Sequence, residues 1–196
     1  NSNGISYSEP EKKMGWCASD TRSIFFQDLR IHKSCILGNQ EKGFKQFLQT
    51  LTSGRITIGA LSIGTAQGAF NKAISYSQER EAFGKSINNF QGVSFKLADM
   101  ATQIEAARHL VYHAAWKKDQ GFPVIREASM AKLFSSEIAM AITTEAIQIF
   151  GGYGYIKEYD VERFFRDAKI LEISEGTSEI QRILISREII NFANKV

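Results

Sequence analysis

Residues 124–150 read VIREASMAKLFSSEIAMAITTEAIQIF, and this stretch decides the fold class. Its apolar residues Ala131, Phe134 and Ile138 recur three and four positions apart, which is the spacing of one face of an α-helix. The pattern continues to Ile149 and is interrupted by a pair of glycines. A long helix with such a face is stable when other helices cover it.

The same spacing extends to both sides of this stretch. A long helix is predicted over residues 42–79, and a second carries the apolar series of residues 90–111 and stops at a Gly-Phe-Pro sequence. The apolar face of the first comprises Phe44, Phe47, Leu48, Leu51, Ile58 and Leu61. Ser178 followed by Gln181 has capping-box spacing and predicts the start of a fourth helix. Four long helices with short connections predict a mainly α fold, an up-down four-helix bundle.

The segment before the helices has a different composition. Residues 23–31, SIFFQDLRI, mix aromatic and β-branched residues with polar ones and predict one or two short β-strands. Such strands are unstable alone, so we interpret them as left from a β-domain. Residues 1–40 are accordingly a linker and the C-terminal remnant of a middle β-domain, and residues 41–196 are the bundle domain. The Ser-, Asn- and Gly-rich start indicates a chain that begins partway through a longer protein.

Composition narrows the function classes. The chain of 196 residues is 43% apolar and carries a formal charge of +3 with both signs scattered, so no nucleic-acid partner is expected. No apolar run approaches the ~20 residues of a membrane span, and no Cys or His group has metal-ligand spacing. We expect Cys17 and Cys35 to be buried, reduced thiols rather than a disulfide.

Three glycines, Gly59, Gly64 and Gly68, lie inside the first predicted helix. Each costs about 1 kcal/mol relative to alanine in a helix interior. Close approach of a neighbouring helix is the favoured explanation, and direct contact with a ligand is the alternative.

The breaks between helices are the places where chemistry is expected. Residues 148–154 hold three glycines, which let a ligand approach the backbone, although such a segment is more often a helix cap. Glu175 lies on a Gly-flanked turn before the last helix. Its carboxylate either stabilises the helix by interacting with the helix dipole or projects into a cavity as a reacting group.

Five short motifs follow one another along the chain: EREAFGK (79–85), FQ (90–91), QIFGGYG (148–154), RFFRDAK (163–169) and EGTSEIQR (175–182). In this order and spacing they resemble the acyl-CoA dehydrogenase family. The resemblance covers essentially the whole chain after residue 10, because residues 13–21 are similar to the end of that family's β-domain.

The resemblance implies that Glu175 is the catalytic base. In the family this carboxylate removes the α-proton of an acyl thioester while the β-hydrogen leaves as hydride to FAD. The backbone N–H of the base and a flavin hydroxyl stabilise the developing enolate. Some relatives carry the base at the position matched by Gly54, where this chain has no carboxylate.

The resemblance also implies binding residues for FAD, shared across a dimer interface. Arg80 would contact a phosphate, with a surface salt bridge as the alternative role. The loop 148–152 would receive the adenosine end. The matched positions are Arg80, Glu81, Ala82, Phe83, Phe90, Gln91, Gln148, Ile149, Phe150, Gly151, Gly152, Thr177, Ser178 and Glu179.

For the acyl-CoA substrate, the matched positions are Thr52, Ser53, Gly54, Arg55 and Gly176. Many members have Asp where this chain has Thr52, which puts that hydrogen bond to the CoA arm in doubt. Arg166 and Asp167 are expected to form a charge pair that supports the turn before the base.

The implied function is α,β-dehydrogenation of a fatty acyl-CoA, with electrons passed to FAD and on to an electron-transferring flavoprotein, in a homodimer or homotetramer. An acyl-CoA oxidase and a non-catalytic helical self-association module are the alternatives. Because most of the β-domain is absent from residues 1–196, this chain alone is expected to be inactive and to bind FAD weakly. We expect a cytoplasmic location, with the mitochondrial matrix as the alternative.

Overall fold

The computed structural model describes residues 4–193, most of which lie in helices. The helices are α1 (Gly43–Glu79), α2 (Gln91–Asp119), α3 (Ile125–Phe150), α4 (Val161–Ala168) and α5 (Ser178–Ala193). The four long ones agree with the predicted helices, and the mainly α up-down bundle is confirmed. The short α4 was not predicted. Within residues 4–193, no helix has the length and apolar character needed to cross a bilayer.

Helix α3 lies at the centre and packs against α1, α2, α4 and α5. Its inward residues are small, and the side chains of Ala128, Ala131, Ala139 and Ala146 are fully buried. Small side chains let neighbouring backbones come close on several sides at once, which a helix with one apolar stripe cannot support. Helix α5 packs chiefly against α3 and leaves apolar residues such as Ile190 exposed.

Close helix packing explains two of the three glycines in α1. A Cβ at Gly59 would lie 2.9 Å from Cγ2 of Val111 on α2, and one at Gly68 would lie 2.6 Å from the ring of Phe164 on α4. Close approach of a neighbouring helix therefore explains the glycine at both positions. At Gly64 it does not, because this residue faces open space.

The expected charge pair between Arg166 and Asp167 is wrong. Arg166 pairs with Glu162 one turn earlier on α4 and donates to the carbonyl of Met14 at 2.9 Å. Asp167 accepts a hydrogen bond from the backbone N–H of Trp16 at 2.6 Å. Because the two side chains turn to different partners, they attach the N-terminal segment to the bundle and do not hold the turn before Glu175.

Two short strands precede the bundle. Strand β1 (Ile5–Tyr7) pairs antiparallel with β2 (Ile24–Phe26), with Ile5 opposite Phe26. Strand β2 lies where it was predicted, whereas β1 falls in the part of the sequence interpreted as a linker. The cysteines are unpaired, as expected, but Cys17 and Cys35 are exposed rather than buried, because their segment lies on the outside of the bundle.

A matched pair of substitutions tests the packing of α1. We expect Gly59→Leu to destabilise the fold by about 1–3 kcal/mol, because the added side chain collides with α2. Gly64→Leu should instead stabilise it by roughly 0.5–1 kcal/mol, since leucine favours a helix and the position is open. Urea unfolding followed by helical circular dichroism measures both, and equal effects of the two substitutions would contradict the packing described here.

Candidate active site

A strained turn before α5 presents Glu175. The turn is anchored at its start by the N–H of Ser174, which donates to the carbonyl of Ile170 at 2.8 Å. Glu175 and Gly176 then adopt left-handed backbone conformations, with φ of +53° and +96°. Glycine does so at little cost, whereas a residue with a side chain loses about 1–2 kcal/mol. Other contacts must therefore hold Glu175 in this conformation.

The carboxylate of Glu175 faces α1 at Gly54. A Cβ at position 54 would lie 2.5 Å from Oε2 of Glu175, too close for any side chain to fit without displacing the carboxylate. Glycine at position 54 thus leaves room for the carboxylate beside the backbone of α1.

One of the residues next to Gly54, Arg55, places a buried cation near Glu175. Arg55 is 6% exposed, and burial lowers the pKa of its guanidinium while the charge of Glu175 acts in the opposite direction. Its Nη1 donates to the hydroxyl of Thr52 at 3.5 Å, and its Nε has no partner among the described residues. The half-buried Ser53 lies between the two. A buried cation with a free donor therefore adjoins the carboxylate.

Two buried side chains hold the turn, and the sequence singled out only one of them, Gln181, in a different role. Lys132 of α3 donates from Nζ to the carbonyls of Glu172 and Gly176, at 3.0 and 2.9 Å. Gln181 of α5 donates from Nε2 to the carbonyls of Glu175 and Gly176, at 3.3 and 2.8 Å. Both side chains are fully buried. The only signal for Lys132 in the sequence is a lysine inside an apolar helix.

The predicted capping box of α5 is wrong, because Gln181 binds the carbonyls of the preceding turn. The hydroxyl of Thr177 instead accepts from the N–H of Ile180, at 3.5 Å, and the buried hydroxyl of Ser178 has no partner among the described residues. The hydrogen bond from Thr177 lowers the pKa of the exposed Glu179. Thr177, Ser178 and Glu179 come two to four positions after Glu175. We group them with Glu175 and residues 52–55 as the first cluster.

The second cluster begins with a tight hairpin after α1. Strands β3 (Glu81–Ala82) and β4 (Lys85–Ser86) are joined by Phe83 and Gly84, which both have positive φ. The ring of Phe83 is 97% exposed and meets the half-buried Phe90 edge to face, at 6.1 Å between centroids. Gln91 opens α2 beside it and is exposed. The hairpin therefore projects an aromatic ring and polar groups outward.

The end of α3 lies beside Arg80, the residue that precedes this hairpin. A cavity of about 480 Å³ is lined by Arg80 together with Ile149, Phe150, Gly151 and Gly152. Both glycines are exposed with open space around them, and Arg80 makes no ion pair within residues 4–193. Its guanidinium lies 5.9 Å from the ring of Tyr153 instead. The salt-bridge alternative for Arg80 thus has no partner in the described part of this chain.

Not all the predicted contacts look outward. Phe150 is 7% exposed and stacks on Tyr76 with centroids 4.1 Å apart, and Ile149 is also buried. Both residues line the cavity although most of their surface is buried. Gln148, one position earlier on α3, is exposed.

The two clusters lie far apart on one chain. Gly54 faces the carboxylate of Glu175, whereas Arg80 follows the last residue of α1. The intervening helix of roughly 26 residues spans about 39 Å at ~1.5 Å per residue. The structure therefore brings Arg80 together with the loop 148–152, and Glu175 with residues 52–55 and 176–179, but keeps the two groups separate.

The chain is similar to known proteins over nearly its whole length. The family model for the acyl-CoA dehydrogenase C-terminal domain matches residues 41–190. The probable acyl-CoA dehydrogenase YngJ of Bacillus subtilis is 51% identical over 187 residues, covering 95% of this chain and 49% of that protein. CarC, the caffeyl-CoA reductase-Etf complex subunit of Acetobacterium woodii, is 48% identical over 185 residues, covering 94% and 49%.

A solved structure extends the agreement to three dimensions. Butyryl-CoA dehydrogenase from Megasphaera elsdenii superposes with a TM-score of 0.95 at 47% identity, over 97% of this chain and 50% of that one. The chain belongs to the acyl-CoA dehydrogenase family. It spans about half the length of the relatives it matches.

The contact between Gly54 and Glu175 gives a test of this site in the full-length protein. We expect Gly54→Ala to lower turnover of an acyl-CoA at least about tenfold, because the new methyl group displaces the carboxylate. The fold should not weaken, since alanine favours a helix by about 1 kcal/mol. Steady-state kinetics with Gly64→Ala as control measures the effect. Unchanged turnover would show that the carboxylate does not act where the structure places it.

Proposed function

We propose that this chain forms the catalytic C-terminal part of an FAD-dependent acyl-CoA dehydrogenase, with residues 1–40 as a linker and the C-terminal remnant of a middle β-domain and residues 41–196 as the bundle domain. The observation that carries the proposal is the carboxylate of Glu175, aimed from a strained turn at the side-chain-free surface of Gly54. Strain held by the surrounding structure is typical of functional sites.

In the proposed reaction, Glu175 removes a proton from the α-carbon of a fatty acyl-CoA thioester. FAD, when bound, would supply the two-electron acceptor to which the β-hydrogen leaves as hydride, so that one double bond forms in the substrate. The backbone N–H of Glu175 stabilises the negative charge that develops on the thioester oxygen. The proposed contacts of the acyl-CoA substrate are the residues near Glu175: Thr52, Ser53, Gly54, Arg55 and Gly176.

The residues of the second cluster fit the nucleotide part of FAD. An unpaired guanidinium at Arg80, open glycine backbone at Gly151 and Gly152 and an adjoining cavity of about 480 Å³ suit a phosphate and an adenosine group. Phe83, in the hairpin that follows Arg80, has a ring that is 97% exposed. Thr177, Ser178 and Glu179 are the proposed contacts at the other cofactor site, beside the base.

The separation of the clusters favours an assembly of at least two copies. One FAD molecule is shorter than the distance of about 39 Å along α1, so it cannot contact Arg80 and approach Glu175 on the same chain. Two copies related by a twofold axis supply the two groups to each cofactor, one group from each copy. Exposed apolar residues such as Phe44, Phe47 and Phe192 are consistent with further packing, and we propose a homodimer or homotetramer.

We further propose an electron-transferring flavoprotein as the partner that reoxidises FAD. The support is the 48% identity to CarC, which is named as a subunit of an Etf complex. For the location we propose the cytoplasm, with the mitochondrial matrix as the alternative, because YngJ and CarC are bacterial proteins.

Reduction of an unsaturated acyl-CoA is the second candidate function. CarC is named as a reductase, and the same groups run the reaction backwards when Glu175 returns its proton to the α-carbon. An oxidase differs in the reaction of reduced FAD with oxygen. A purely structural module is disfavoured, because assembly alone does not require the Glu175 turn and the open Arg80 cavity together.

Glu175→Gln in the full-length protein tests the proposed function. An amide accepts no proton at neutral pH, so we expect the flavin to stay bound while its bleaching by acyl-CoA slows by about 10²–10⁴ or more. Stopped-flow absorbance measures the bleaching, and the reverse reaction with an enoyl-CoA is measured on the same samples. Near-normal rates in both directions would remove Glu175 from the chemistry.

Arg80→Met tests the second cluster. Losing a charge-assisted contact of about 1.5–3 kcal/mol should weaken FAD binding by roughly ten- to a hundredfold. The control is Arg187→Met, the same change at an exposed position of α5 outside both clusters. Flavin content after dialysis, followed by titration of FAD into the apoprotein, reports the difference. Equal affinity of the two variants would exclude Arg80 as a cofactor contact.

A further inference from the structure

Lys132 is an unusual residue for the centre of a bundle. Its side chain is fully buried on α3, and its ammonium group contacts two backbone carbonyls, those of Glu172 and Gly176. Within residues 4–193 it has no carboxylate within ion-pair distance. Burying a charge without an opposite charge in contact is costly, and burial here lowers the pKa of Lys132 to about 8.

The two carbonyls that Lys132 binds are the two ends of the turn that carries Glu175. The turn would otherwise relax, because Glu175 has a left-handed backbone that costs about 1–2 kcal/mol. Gln181 adds hydrogen bonds to the carbonyls of Glu175 and Gly176, so that Gly176 is held from α3 and from α5 at once. The turn is therefore fixed through its backbone carbonyls by side chains from two helices.

The direction of the Glu175 carboxylate depends on this anchoring. The left-handed φ of Glu175 sets the direction in which its side chain leaves the backbone, and the carboxylate lies against Gly54. A displacement of about 1 Å between a base and its substrate carbon can reduce a rate by 10²-fold. A residue that holds both ends of the turn thus controls the reaction without contacting the reacting atoms.

We propose that Lys132 is the positioning residue of the catalytic base: by binding the carbonyls of Glu172 and Gly176 it fixes the turn so that the Glu175 carboxylate points at the substrate. The role of Lys132 rests on the proposed function of Glu175. Gln181 supports the same turn from α5 as a second, uncharged donor.

The test compares Lys132→Met and Lys132→Gln with Thr143→Val in the full-length protein. Methionine and glutamine are both one atom shorter than lysine; methionine removes both hydrogen bonds, whereas glutamine keeps an N–H₂ group one atom nearer the backbone. Thr143 is fully buried on the same helix, and its hydroxyl donates to the carbonyl of Ala139 at 2.8 Å, away from the turn. Its replacement therefore controls for the loss of any buried hydrogen bond in α3.

Two measurements separate positioning from stability. In Lys132→Met, amide hydrogen exchange in residues 172–177 should accelerate by at least about tenfold while exchange in α1 stays unchanged. The value of kcat should fall about ten- to a hundredfold, with KM changed by less than about threefold and flavin content retained. Lys132→Gln should recover part of both effects, and Thr143→Val should show neither.

Unchanged exchange in the turn, or a kcat equal to that of Thr143→Val, would overturn the positioning role. Failure of both Lys132 variants to fold would also overturn it, because the residue would then serve folding. The exchange measurement needs no turnover, so it tests the anchoring even if the protein proves not to oxidise acyl-CoA. Loss of the proposed function is recognised separately, by the absence of flavin bleaching in the unmodified protein.

Discussion

The close packing of α3 against α1 is the contact on which the other features depend. Fully buried alanines on α3 let the two backbones approach, and Gly59 lets α2 join them. Both clusters are built on this helix pair. Gly54 and Lys132 lie at the Glu175 turn, whereas Arg80 and the last residues of α3 form the cavity at the other end. A change in the packing of α1 on α3 would therefore alter both clusters together.

The strained turn and its buried donors form one unit. A left-handed glutamate is unfavourable in isolation, and a buried lysine is unfavourable in isolation, yet each removes part of the other's cost. The carbonyls freed by the turn receive donors, and the ammonium of Lys132 receives acceptors. Strain held in this way is typical of functional sites, because the surrounding structure fixes a conformation that the local sequence would not choose.

The long helices were predictable because helical spacing is a local property that many residues repeat. The turn chemistry was less predictable. Gln181 matches a capping box by spacing, but the tertiary fold gives its amide to the carbonyls of Glu175 and Gly176. Lys132 was missed because a single polar residue on an apolar face carries no periodic signal. Cys17 was expected to be buried from its residue type, whereas burial is set by the position of its segment on the outer surface. The site residues named from the resemblance fall into two groups, and only the length of α1 reveals their separation.

The separation of the Glu175 and Arg80 clusters predicts complementation between mutant alleles. In a two-copy assembly of the proposed kind, each cofactor site combines the base of one copy with the arginine of the other. Two defective alleles, one lacking the carboxylate at Glu175 and one lacking the guanidinium at Arg80, then complement each other when expressed together. In a dimer of one copy of each variant, one cofactor site lacks both the carboxylate and the guanidinium, and the other site has both. Half of the sites in such a heterodimer are intact, although neither parent protein has a single intact site.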